Sequence, residues 1–118
     1  LGGYKVQGKK EDAASQMIRD AKTLENAGAF ALVLECVPEK LAAEITDSLT
    51  IPTIGIGAGV HCDGQVLVVN DMLGMYERMT PKFVKKFANL NQEIRNAVKK
   101  YIQEVKSETF PDSEHSFK

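Results

Sequence analysis

Phe30-Ala31-Leu32-Val33-Leu34-Glu35-Cys36-Val37-Pro38 decides the fold: five apolar residues run together without alternation and stop at a carboxylate. Alternation marks a strand wetted on one face. An unbroken run of this length suits a strand buried on both faces, as in a parallel sheet covered by helices. Upstream, residues 11–27 place Ala13, Ala14, Met17, Ile18, Ala21 and Leu24 on the stripe of an amphipathic helix, with Gly28 set to end it. Downstream, Pro38 suits a first helical turn, and Leu41, Ile45 and Leu49 give the next helix a buried face. A second short β-type run follows in Ile51-Pro52-Thr53-Ile54-Gly55-Ile56-Gly57 and ends in a glycine-rich loop. Helix, strand, helix, strand at these spacings is the alternation of an α/β parallel sheet.

Residues 63–73 are ambiguous. Val66-Leu67-Val68-Val69 favours a strand by propensity. A parallel neighbour of the second strand, however, calls for a crossover of a dozen or more residues, and 57–64 supplies only eight. Asp63 as N-cap and Gly74 as stop favour a helix, followed by a very short strand near Met75 and Tyr76. Thr80-Pro81 predicts another helix start, with Phe83, Val84, Phe87 and Ala88 facing inward. A last helix spans about 92–106, so helices occupy about 80–106, and 107–118 is a polar tail.

Composition narrows the function. With 118 residues, 43% hydrophobic and 26% charged, the chain has the balance of one small globular domain. Fifteen basic against sixteen acidic side chains give a net charge of −1, which argues against a nucleic-acid footprint. No apolar run is long enough to span a bilayer, and two cysteines, Cys36 and Cys62, are too few for a disulfide framework. A soluble, cytoplasmic setting is expected. The chain opens on Leu1 and loop-type residues 1–8, as a trimmed piece of a larger fold would. Two strands with helices cannot close a sheet, and a barrel of eight such units takes about 250 residues. The rest is expected from upstream residues or another polypeptide.

Ligands of parallel α/β folds gather at the carboxyl ends of strands. One such end carries Glu35, a carboxylate that is either held for proton work or has simply reached solvent. The other carries Gly55-Ile56-Gly57-Ala58-Gly59, where Val60 replaces the third glycine of a dinucleotide fingerprint, so the loop reads as a pocket wall. His61-Cys62-Asp63 lacks the paired spacing of a zinc site. His115 has no partner at catalytic spacing, and Ser15, Ser48 and Ser107 lack a nucleophile elbow. Cys36 reads as a structural thiol more readily than as a nucleophile.

Five stretches in order carry a resemblance: residues 2–8, 32–38, 51–59 and 62–68, and the closing Phe110-Pro111 with Glu114-His115-Ser116-Phe117. Together they closely resemble the C-terminal portion of the ketopantoate hydroxymethyltransferase (3-methyl-2-oxobutanoate hydroxymethyltransferase) family. The resemblance implies the C-terminal half of a (βα)8 TIM barrel of the phosphoenolpyruvate/pyruvate type, with residues 1–118 part of that single domain and incomplete without upstream residues. It implies hydroxymethyl transfer from methylenetetrahydrofolate to α-ketoisovalerate, giving ketopantoate for pantothenate synthesis. Glu35 matches the family's proton-abstracting base. Mg2+ is implied as cofactor, with its ligands in the absent N-terminal half and none in this chain. A homo-oligomer, decameric in the family, is also implied, and no turnover is expected from these residues alone. The alternatives are a non-catalytic assembly module, or another keto-acid lyase or mutase of the same superfamily.

Overall fold

A computed structural model of the chain describes residues 5–118. Gly2, Gly3 and Tyr4 of the opening loop lie outside the described residues. Helix α1 (Glu11–Asn26), strand β1 (Leu32–Glu35), helix α2 (Glu39–Ser48), strand β2 (Thr53–Ile56) and strand β3 (Gly64–Gln65) are followed by the short helix α3 (Val69–Met72) and by α4 (Leu90–Lys106). The strands form one parallel sheet in the order β1-β2-β3, with Leu32 opposite Thr53 and Ile54 opposite Gly64. The chain gathers into two compact units. One runs to Val68 and takes in Thr80–Val84; the other comprises Val69–Met79 and Lys85–Lys118.

The first unit holds the core. Ala21 of α1, Leu34 of β1, and Leu41, Ala42 and Ile45 of α2 bury one another together with Val37 and Ala58. Helix α1 ends where its sequence says it should: Gly28 takes φ 103°, its N–H donates to the Glu25 carbonyl, and the Ala29 N–H donates to the Leu24 carbonyl. That is a Schellman end, which glycine enters without a Cβ penalty. Pro38 stands one residue before α2, where its missing N–H costs nothing.

Burial departs from expectation in β1. Leu34 is buried under the helices, but Val33 is 60% exposed and Glu35 is also exposed. Among the described residues the face bearing Val33 and Glu35 is open, so β1 is buried on one side, not two. Its apolar alternate residues therefore point at a surface that the described residues do not cover.

Residues 63–73 also differ from the expected helix. They supply β3, a connection, and the four residues of α3. A parallel neighbour forms without a helical crossover because the return doubles back over β2 itself. The Thr53 N–H donates to Asp63 Oδ2 at 2.8 Å, and the Asp63 N–H donates to Thr53 Oγ1 at 3.3 Å. Thr53 is fully buried, and its hydroxyl is also 2.8 Å from that of Thr46 on α2. Where a Cβ on Gly55 would stand, Cys62 Sγ is 2.9 Å away. The bare backbone of Gly55 thus makes room for the returning chain.

Two further expectations fail. Residues 80–88 hold no helix: the Val84 N–H closes a turn by donating to the Pro81 carbonyl, and 85–88 are irregular. No strand forms near Met75 and Tyr76 among the described residues. In the second unit Gly74 (φ 64°) closes α3, and the Phe87 and Leu90 N–H groups donate to the Met72 and Leu73 carbonyls. Within this unit Phe87, expected to face inward from a helix, is held instead by the Met72 carbonyl at the end of α3. The final helix does form, as α4, and carries no buried residue.

Candidate functional site at the carboxyl end of the sheet

Glu35 is the last residue of β1, opposite Ile56 of β2. Because neighbouring strand residues alternate faces, Glu35 shares the open face with Val33, Ile54 and Ile56. Its side chain is exposed, and no hydrogen bond or ion pair engages its carboxylate among the described residues. The carboxylate is therefore free to act on a molecule at that face. The reading that it had merely reached solvent is also met geometrically.

Immediately after it, Cys36 adopts φ 54°, a left-handed conformation that non-glycine residues seldom enter. Its N–H donates to the Ile56 carbonyl at 3.0 Å, and its carbonyl accepts the Gln7 N–H at 2.6 Å. Burial, and after it the neighbouring Glu35 carboxylate, push the Cys36 thiol above its ordinary value. A protonated, buried thiol is a poor nucleophile, which fits the structural reading of this cysteine.

A cavity of about 320 Å3 lies beside Glu35, with Gln7, Met17, Leu24, Val33 and Leu34 among its walls. Val33 and Leu34 point to opposite faces, so the cavity wraps the free edge of β1. Its volume falls in the small-ligand range, but this wrapping is the shape of the space beside an unpaired strand.

The glycine loop after β2 packs against protein. Gly57 (φ 66°) has the Phe83 ring 3.0 Å from where a Cβ would stand. Gly59 (φ 79°) has Glu39 Cγ 2.5 Å away in the same sense. Both glycines give room to side chains of this chain, one of them acidic, which suits a wall better than an anion cradle. Gln65 Nε2 ties the loop down by donating to the Gly59 carbonyl at 2.8 Å.

His61, Cys62 and Asp63 diverge to three partners. His61 Nε2 lies 3.4 Å from Glu39 Oε1, in a pair more than half exposed and hence weak. Cys62 covers Gly55, and Asp63 binds Thr53. Among the described residues no group of three or more His, Cys, Asp or Glu side chains is placed to hold a metal ion. His115, expected to lack an acidic partner, has one in the second unit: its Nδ1 lies 2.6 Å from Asp112 Oδ1, and this contact holds the Asp112 carboxyl below its usual range. The Ser48 and Ser107 hydroxyls donate to helix carbonyls, and Ser15 lies within α1.

Three features escaped the sequence reading: Gln7 clamping the end of β1, the Thr46–Thr53–Asp63 network, and the left-handed Cys36. Only Asp63 carried a signal, a short acidic residue before Gly64 that can bind backbone locally as well as cap a helix.

A family model described as ketopantoate hydroxymethyltransferase matches residues 1–113. The chain belongs to the ketopantoate hydroxymethyltransferase family. Relatives named 3-methyl-2-oxobutanoate hydroxymethyltransferase agree. The one from Syntrophus aciditrophicus is 70% identical over 99% of this chain and 43% of its own length. Those from Carboxydothermus hydrogenoformans and Enterococcus faecalis are 62% and 63% identical over 99% and 100% of this chain, and 42% and 43% of their own lengths. The chain thus spans less than half the length of the curated relatives it matches. No helix among the described residues is long and apolar enough to cross a membrane.

Proposed function

We propose that this chain is the C-terminal part of a ketopantoate-forming hydroxymethyltransferase and carries its proton-abstracting base. The reading rests on the family match together with one observation: Glu35 stands exposed and unengaged at the carboxyl end of β1, on the open face of the sheet. In a (βα)8 barrel that face lines the interior and that end bears the chemistry. The keto acid would be α-ketoisovalerate and the one-carbon donor methylenetetrahydrofolate. The Glu35 carboxylate takes the C3 proton, and the C–H electron pair passes into an enolate whose C3 bonds to the donor's methylene carbon. Both C–N bonds of that carbon break, water supplies its hydroxyl, and tetrahydrofolate leaves with one proton from water and one from C3 on its two nitrogens. Proton removal by a positioned carboxylate is worth about 10²–10⁴-fold in rate.

Mg2+ is part of the family's chemistry as the resemblance implies it, but the described residues present no ligand set for it. Its ligands would lie outside these residues, and no step is derived through it. The remainder of the barrel, the cytoplasmic setting and assembly into a homo-oligomer belong to the same proposal. Residues 1–118 alone are expected to show no turnover.

The test is Glu35→Gln in the full-length protein, following solvent exchange of the keto acid's C3 hydrogen in D2O by NMR. Exchange should fall by about 10²-fold or more. Undiminished exchange moves the base elsewhere, and product formed by the 118-residue chain alone overturns the expectation of inactivity.

A further inference from the structure

Both peptide groups of Cys36 are engaged, on opposite sides of β1. Its N–H is held by Ile56 of β2, and its carbonyl by the Gln7 N–H on the other flank. The strand register fixes Glu35 against Ile56, and the next peptide is clamped at once. Satisfying both bonds while turning the chain into α2 requires the left-handed backbone at position 36. Asparagine and glycine take that conformation most readily, yet a cysteine stands here, with its side chain buried. A residue confined to negative φ would release the Ile56 bond or the Gln7 bond, and the Glu35 backbone would tilt with it.

From this geometry we infer that Cys36 is a positioning residue for Glu35: its left-handed backbone, not its thiol chemistry, aims the carboxylate across the open face. The inference rests on the proposed role of Glu35 as base and deepens it. Misplacing a reacting group by about 1 Å costs on the order of 10²-fold in rate, so a small tilt is enough to be measured. Left-handed strain is common at functional sites because the surrounding structure holds it in place.

The experiment compares Cys36→Gly, Cys36→Ala and Cys36→Val with Glu35→Gln in the full-length protein. Solvent exchange at C3 and the keto-acid KM are measured for each. Glycine accepts φ 54° freely, alanine as well as the cysteine it replaces, and valine least of all, being β-branched. Exchange should therefore stay within about threefold of the parent in Cys36→Gly and Cys36→Ala and fall at least about tenfold in Cys36→Val. KM should change little, because the defect lies in aiming the base and not in holding the keto acid.

If Cys36→Val does not fold, alanine and glycine still decide. A loss of more than about tenfold in Cys36→Ala or Cys36→Gly overturns the inference and points to the side chain. A folded Cys36→Val with unchanged exchange also overturns it, while Glu35→Gln still fails. Undiminished exchange in Glu35→Gln removes the base itself, and the present inference falls with it. A loss seen only as a raised KM, with exchange at saturation intact, would show that the turn shapes binding and would likewise overturn it.

Discussion

Helices α2 and α4 make an instructive pair. The first has ten residues and buries Leu41, Ala42 and Ile45; the second has seventeen, with an equally clear apolar stripe, and buries none. Ile94, Val98, Tyr101, Ile102 and Val105 lie along α4 at helical spacing, all exposed. Amphipathic spacing says that a helix has a face; it does not say that the face is covered. In α2 the cover comes from Leu34 and Ala21 within the same unit. The first unit thus draws its stability from packing, whereas α4 is tied down by exposed contacts, such as Tyr101 edge-on to Phe110 and Arg95 paired with Glu77.

That contrast can be broken by mutation. Ile45→Ala should give the largest effect, a loss of about 2–5 kcal/mol in urea unfolding of the full-length protein, because Ile45 is fully buried. Thr53→Val should cost about 1–3 kcal/mol by leaving the Asp63 N–H and the Thr46 hydroxyl without their partner in a buried network. A Thr53→Val chain as stable as the parent would show that the network is dispensable. At the end of α4, Glu108 stands in the left-handed position (φ 60°) of a Schellman turn that glycine usually fills. Glu108→Gly should raise the helix's resistance to thermal fraying, followed by circular dichroism, by about 0.5–1 kcal/mol. Val98→Ala, on a side chain 52% exposed, should move stability by less than about 0.5 kcal/mol. A loss approaching that of Ile45→Ala would erase the distinction between the two helices.

Acid sharpens the comparison differently. Glu25 near the end of α1 accepts hydrogen bonds from the Thr50 hydroxyl at 2.5 Å and the Thr50 N–H at 3.2 Å. The hydroxyl bond first, and then the backbone bond, lower its pKa below the ordinary 4.5. A depressed folded-state value contributes stability that is present above about 4.5 and lost as pH falls through the lower folded value. Thr50→Val should flatten that acid limb in pH-dependent denaturation, and an unchanged slope would remove Glu25 from the account.

Much of the first unit was legible because its signals are local. Gly28 ends α1, and apolar spacing marks the inner faces of α1 and α2. The two short β-type runs become β1 and β2 with slightly trimmed ends. Other features were hidden for physical reasons. The parallel β3 depends on Asp63 meeting Thr53 and on Cys62 covering Gly55, contacts that no residue announces alone. The irregular backbone at 85–88 depends on Phe87 meeting the Met72 carbonyl. At the candidate site, Glu35 could be read from its place after an apolar run, whereas nothing in a cysteine's chemistry signals left-handed backbone.

The doubling-back of residues 57–63 over β2 acts as a ruler. Its length is set by the distance from the end of β2 back to Thr53, measured across a glycine that leaves only a sulfur's width of room. A natural variant with one residue more would have to bulge outward or slip β3 by a position, exchanging the faces of Gly64 and Gln65. Insertions should therefore be scarcer in this loop than its glycine content would suggest, and where they occur Gly55 would be free to change.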